Sequence, residues 1–238
     1  MKLSEEMKNK TLLSFELFPP KTEKGLQNLP GTIDHLMKYK PSYISCTYGA
    51  GGGNVGANRE VCQMIKNAGT TPVTHFTVIK NTKEGIKEQL DQYLADGVDH
   101  MLALRGDIPL GETTTCGDFD YATDLVKFVR DTYGDKFEIA VAGSPEGHIS
   151  CRSLESDIAV LKQKQDNGAD YIMTQLCWDM EQFKYWLDAI RKAGITMPVD
   201  VGVMPILDQA ATINMALSRN GCVMDRELSR MISRHWLF

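Results

Sequence analysis

The stretch VTHFTVIKNTKEGIKEQLDQYLADGVDHMLALR (residues 73–105) reads as strand, helix and strand in succession. VTHFTVI (73–79) is dense in β-branched and aromatic residues, the composition that suits a pleated, buried surface. In KEGIKEQLDQYLAD (83–96) the apolar residues Ile86, Leu90, Tyr93 and Leu94 recur at helical spacing, which predicts an amphipathic helix. HMLALR (100–105) is a second apolar strand. A helical crossover joins parallel strands, because a tight hairpin cannot. Residues 73–105 therefore predict one strand–helix–strand unit of a parallel sheet.

The pattern extends in both directions. Further strands are predicted at 12–17 (LLSFEL), 43–48 (YISCTY), 137–142 (FEIAVA), 171–176 (YIMTQL) and 199–204 (VDVGVM). Leu154, Ile158 and Leu161 give 153–167 a helical period. The run 179–193 starts from Asp179 as N-cap and stops before Gly194, a C-cap glycine. Strand and helix alternation predicts an α/β fold, a (β/α)8 barrel of TIM type. No GxGxxG follows the first strand, which weakens an open dinucleotide-binding sheet. A full barrel has eight strands in about 250 residues. Only seven strands are evident, followed by helical runs at about 208–219 and 224–234. The eighth strand is missing: either the chain is incomplete at its C-terminus, or something else takes that strand's place.

Composition sets the class. The chain has 238 residues, a formal charge of −5, 42% hydrophobic and 24% charged residues, the balance of an ordinary globular protein. One domain over 1–238 is expected at this length. No apolar run approaches the roughly 18 residues of a membrane helix. The opening MKLSEEMKNK lacks the apolar stretch of a signal peptide. The acidic balance argues against nucleic acid as a partner. Cys46, Cys62, Cys116, Cys151, Cys177 and Cys222 form no CxxC pair and no zinc-type cluster, so no metal is expected. They read as reduced thiols in a cytoplasmic protein.

A barrel carries its chemistry at the C-terminal ends of its strands. Strand one ends in Glu16, followed by Leu17-Phe18-Pro19-Pro20. A carboxylate in an apolar strand is costly unless it is paired or functional, and a structural ion pair is the plain alternative. Strand two ends in Thr47-Tyr48-Gly49-Ala50 and three more glycines, a backbone that can approach a ligand closely or simply form a loose loop. Strand three carries His75, which taken alone reads as a satisfied core histidine. Strand four ends in Leu104-Arg105-Gly106-Asp107, a cation and an anion astride a glycine. Strand five runs into Gly143-Ser144-Pro145-Glu146-Gly147-His148, able to offer amides and an imidazole to a polar or anionic ligand. Strand six carries Thr174-Gln175, whose amide suits a flat heterocycle.

These motifs, in this order, resemble the methylenetetrahydrofolate reductase family. The likeness is carried by Ser14-Phe15-Glu16-Leu17-Phe18-Pro19-Pro20-Lys21, Thr47-Tyr48-Gly49-Ala50, Leu104-Arg105-Gly106-Asp107, Pro145-Glu146-Gly147-His148 and Thr174-Gln175, and runs from about residue 11 to 206. It implies FAD bound in a barrel, with NAD(P)H as electron donor and 5,10-methylenetetrahydrofolate reduced to 5-methyltetrahydrofolate in a ping-pong reaction. Glu16 matches the family's general acid. Asp107 matches a carboxylate near flavin and folate, and Gln175 a glutamine that contacts folate and nicotinamide. Flavin-contact positions match at Thr47, Tyr48, Ala50, His75, Leu104, Arg105, Gly106, Asp107, Tyr121, Ala122, His148, Asp157 and Lys164.

Departures from the family pattern are local. Val160 stands where an asparagine is common, and Gln163 where a basic residue is common. Ser144 replaces an aromatic. After strand seven, Gln209 is offset from the family's glutamine, and no aromatic lies between Pro205 and Trp236. The partners implied are a folate and a second copy of the chain in a homo-oligomer. Two alternatives stay open: a catalytic subunit with a second subunit and another electron donor, or an inactive barrel fragment.

Overall fold

The computed structural model describes residues 2–20, 22–48, 55–108, 111–217, 224 and 226–235. The seven strands are β1 (Ser14–Leu17), β2 (Tyr43–Cys46), β3 (Thr71–Thr77), β4 (His100–Leu104), β5 (Glu138–Gly143), β6 (Tyr171–Thr174) and β7 (Val199–Asp200). The helices are α1 (Leu3–Met7), α2 (Glu23–Met37), α3 (Val55–Asn67), α4 (Lys83–Ala95), α5 (Ala122–Tyr133), α6 (Leu154–Asp166), α7 (Met180–Lys192), α8 (Gln209–Leu217) and α9 (Arg226–His235). Strand order follows the chain, β1 to β7. The pairs β1–β2, β2–β3, β3–β4, β4–β5 and β6–β7 are parallel in register. This is the α/β TIM-type fold expected, with seven strands among the described residues.

The chain divides into two compact units. The first comprises residues 1–141 and 167–171, and the second residues 142–166 and 172–238.

In the first unit the helices bury the apolar stripes read from the sequence. Ile86, Leu90 and Tyr93 of α4 are fully buried, with Phe76 of β3 edge-on to Tyr93 at 6.3 Å. Thr82 caps α4 by accepting the Gly85 N–H at 3.1 Å, which satisfies one of the orphan amides of the first turn. Arg130 of α5 ties the loops together. Its guanidinium donates to the Gly168 carbonyl and pairs with Asp170 at 2.7 Å.

The N-terminal helix is held by a residue far along the chain. Glu138, at the start of β5, accepts the Leu3 N–H (2.7 Å), the Ser4 N–H (2.8 Å) and the Ser4 hydroxyl (2.5 Å). His100 lies opposite Glu138 in the β4–β5 register, its Nε2 3.0 Å from Oε2. Asp99 holds the other imidazole nitrogen at 2.6 Å. Burial alone would raise the Glu138 pKa; His100 and the Ser4 and Leu3 donors outweigh it and lower the carboxyl to about 2. Burial likewise opposes the charge on His100, but Asp99 and Glu138 raise it to about 9.

Stability should follow these two groups in opposite directions. The depressed Glu138 contributes above the unfolded carboxyl value and loses that contribution as pH falls toward about 2. The raised His100 contributes fully below the unfolded imidazole value and loses it as pH rises through about 9. Chemical denaturation across pH should therefore show a plateau between about pH 4.5 and 6.5 and a decline on each side. A flat profile from pH 6.5 to 9.5 would refute the histidine's part.

In the second unit α7 supplies the core. Asp179 caps it as expected, accepting from the Glu181 and Gln182 N–H groups at 2.9 and 3.0 Å. Trp186 and Ile190 are fully buried, each worth about 1.5–3 kcal/mol of apolar burial. Gly143 is required here, since a Cβ would come within 2.6 Å of Ile172 and 3.1 Å of Trp186. The seventh strand is shorter than the expected 199–204. Beyond Asp200, the Gly202 N–H donates to the Thr174 hydroxyl at 2.9 Å instead of a ladder carbonyl, and the strand ends.

Candidate active site

Register places the first cluster. Glu16 of β1 stands opposite Ser45 of β2, and Ser45 opposite Val73 of β3. His75 is two residues beyond Val73 and so faces the same way as Glu16. The two side chains meet, with His75 Nε2 3.6 Å from Glu16 Oε2. That is ion-pair range, but the imidazole is buried and burial lowers its pKa to about 4. His75 is therefore neutral near pH 7, and the separation is too long for a hydrogen bond. Glu16 is 46% exposed at its side chain, and the partial burial around its carboxyl raises its pKa. No positive charge on His75 works against this. A carboxyl beside a neutral imidazole keeps its proton to higher pH than an exposed one.

Two polar atoms on this face lack partners. His75 Nε2 and Thr77 Oγ1 are buried with no hydrogen-bond partner among the described residues. Orphaned buried polar atoms are uncommon, and at strand ends they are groups that a ligand can pair. Leu102 and Leu104 are level with His75 and Thr77 in the β3–β4 register. Arg105 and Gly106 are half-buried and Asp107 is exposed. Gly106 adopts φ +87°, and a Cβ there would press on Thr77 and Ile79 at 3.1 and 3.2 Å. Only glycine fits this turn, which fixes where Arg105 and Asp107 leave β4.

The ends of β2 and β3 are tied from the helices behind them. Tyr48 packs on Phe76 at 5.8 Å, and its hydroxyl donates to Gln89 of α4 at 3.0 Å. Gln89 donates to Asn81 (3.1 Å), and Asn81 to the Thr77 carbonyl (3.1 Å). The Tyr48 phenol is thus a packed residue, and burial pushes it up to about 12. Thr47 is half-buried, with its N–H on the Leu17 carbonyl at 2.9 Å. Asn58 of α3, absent from the sequence-based candidates, is fully buried and reaches the Cys46 and Thr47 carbonyls. A lone asparagine among the apolar positions of a helix was its only sequence signal. Tyr121 is 61% exposed at the N-cap of α5, with its N–H on Asp124, and Ala122 begins that helix. Ala50 lies outside the described residues.

In the second unit, Asp157 of α6 gathers the strand-five loop. Its carboxylate accepts the His148 N–H at 3.2 Å and faces the Cys151 thiol at 3.6 Å. The Gly147 N–H goes to the Ser144 carbonyl at 2.9 Å. The amides of Gly147 and His148, expected from sequence to meet a ligand, therefore have partners within the protein. The His148 ring accepts the Ser150 N–H at 3.1 Å. Lys164 donates to the Ala142 carbonyl at 2.9 Å; burial lowers its pKa, and Asp157 acts against that. Val160 and Gln163 are exposed on the same helix. Gln175 is half-buried, its side-chain oxygen accepting the Leu176 N–H at 2.8 Å. Gln209 ties α8 to the Ile232 carbonyl at 3.3 Å. Among the described residues no group of three His, Cys, Asp or Glu is arranged to hold a metal. No helix there is long and apolar enough to cross a membrane.

Fold and site define an α/β protein of TIM type with a protonatable carboxyl and a neutral imidazole together at strand ends. Solved structures agree on the fold. A Clostridium thermocellum protein that binds two copies of 5-methyl-5,6,7,8-tetrahydrofolic acid aligns with TM-score 0.60 and 12% identity, over 98% of this chain and 96% of that one. A 2,3-dimethylmalate lyase aligns with TM-score 0.56 and 12% identity, over 97% and 90%. The family described as methylenetetrahydrofolate reductase matches residues 2–228, and the chain belongs to it. It is 38% identical over 219 residues to methylenetetrahydrofolate reductase (NADH) 1 of Arabidopsis thaliana, covering 87% of this chain and 37% of the plant protein. It is 34% identical over 202 residues to 5,10-methylenetetrahydrofolate reductase of Escherichia coli, covering 84% and 67%. The chain thus spans less than two fifths of the length of the plant relative.

Proposed function

We propose that this chain reduces 5,10-methylenetetrahydrofolate to 5-methyltetrahydrofolate, with FAD as cofactor and NAD(P)H as electron donor. The observation that carries the reading is the Glu16 carboxyl, its pKa raised by burial, 3.6 Å from a neutral His75. The substrate's bridging carbon is bonded to two nitrogens, and one of those C–N bonds must break before reduction. Glu16 donates its proton to the departing nitrogen, which leaves an iminium cation on the folate. The carboxylate left behind is a fixed negative charge beside that cation. Asp107, exposed at the end of β4, adds a second negative charge, which favours the cation.

The residues present fit an FAD site in part. His75 Nε2 and Thr77 Oγ1 supply buried, unpartnered polar atoms, and the Gly106 turn, packed on Thr77 and Ile79, fixes where Arg105 leaves β4. Thr47, Tyr48, Leu104, Arg105, Tyr121 and Ala122 of the first unit would hold the group. The chemistry FAD supplies when bound is two-electron transfer from NAD(P)H to the folate, in two half-reactions.

The test is the visible spectrum of the purified chain with added FAD. Anaerobic NADH should bleach the flavin bands, and methylenetetrahydrofolate should restore them. Bleaching without recovery would overturn the folate reading, and absence of flavin uptake would overturn the cofactor.

A further inference from the structure

Asn58 has every capacity of its amide engaged, as a fully buried side chain must. Oδ1 accepts from the Thr74 hydroxyl (2.8 Å) and the Tyr93 hydroxyl (2.7 Å), with the Cys62 thiol at 3.5 Å. Nδ2 donates to the Cys46 carbonyl (3.0 Å) and to the Thr47 carbonyl (3.1 Å).

The second pair of bonds is geometrically unusual. Successive residues of a strand alternate in direction, so neighbouring carbonyls point to opposite edges. One NH₂ group can bridge two neighbouring carbonyls only where the chain turns between them. β2 ends at Cys46, the first of the two. The Thr47 N–H still reaches the Leu17 carbonyl at 2.9 Å, so the chain is turned there and not released. An apolar residue at 58 could pack α3 on the sheet equally well, but would take the amide donor from both carbonyls and leave the Thr47 carbonyl only the weak Cys46 thiol at 3.8 Å.

We propose that Asn58 is a positioning residue: it sets the angle at which the chain leaves β2 and so presents Thr47 and the Tyr48 backbone to the cofactor. The inference rests on the FAD reading above. It is independent of the redox steps, because it concerns only how the empty chain is shaped to receive the group.

The experiment is FAD affinity, read by quenching of FAD fluorescence, beside thermal melting of the same samples. Asn58→Asp keeps the acceptor atoms and removes both donors. Asn58→Ser keeps one short donor. Tyr93→Phe removes one donor to Oδ1 and leaves both carbonyl bonds intact. Asn58→Asp should weaken FAD binding about tenfold, with Asn58→Ser intermediate, while Tyr93→Phe stays within about twofold despite a lower melting temperature. Where Asn58→Asp does not fold, Asn58→Ser decides alone. Wild-type affinity in the Asn58 variants would overturn the assignment, as would equal loss in Tyr93→Phe. A wild-type chain that takes up no FAD overturns the cofactor reading and this inference with it, an outcome distinct from the other two.

Discussion

Replacing Glu16 with glutamine should lower folate reduction by about 10³-fold while leaving flavin reduction by NADH within about twofold, since a positioned acid contributes about 10²–10⁴ to a proton-transfer step. Glutamine keeps the size and much of the polarity of the side chain but has no proton to give. Only the half-reaction that breaks a C–N bond needs that proton. Stopped-flow traces of the two half-reactions separate the effects. Equal loss in both would sink the acid role and leave Glu16 as part of the binding surface. The wild-type folate half-reaction should also keep its rate to higher pH than an ordinary carboxyl permits, because burial raises the Glu16 pKa and neutral His75 adds no opposing charge.

The largest stability loss is expected at Glu138. Its carboxylate takes two backbone amides and a hydroxyl from α1 and pairs with His100, with a side chain only 2% exposed. Glu138→Ala leaves those donors unpaired and leaves the His100 charge, in a buried place, with Asp99 as its remaining partner. Breaking a buried pair this way costs about 3–5 kcal/mol. In a chain of this size that corresponds to a melting temperature lower by about 10 °C. Circular dichroism melting measures it, and a shift under about 2 °C would refute the keystone role. The companion variant Ser4→Ala removes a single hydroxyl donor and should cost about 1 kcal/mol.

The fold was legible because its signal is periodic. All seven expected strands are present, and α4, α6 and α7 fall where apolar spacing puts them. Strand ends were less legible, for a definite reason. β2 stops short of Tyr48 because Asn58 takes the carbonyls, and β7 stops at Asp200 because a threonine hydroxyl takes an amide. Side chains distant in sequence make both decisions, and no local pattern reports them. Glu16 was readable as a carboxylate in an apolar strand, and the structure adds its neighbour His75. The charge state of that neighbour was not readable, since it follows from burial. The loop at 144–148 looked like an anion cradle in sequence; Asp157 and Ser144 take the Gly147 and His148 amides instead. Helix α1 left no sequence signature at all, being five residues long and held from β5.

That last arrangement bears on how the protein is made. Ser4 leaves the ribosome well before β5, yet the side chain that satisfies it follows 134 residues later. Until β5 has emerged and paired, the opening turn has no buried acceptor to close on. Contacts of such sequence separation form slowly, because the loop-closure entropy precedes the reward. The residues of α1 are therefore among the last of the first unit to be secured, and α1 acts as a latch on a first unit already assembled through Glu138.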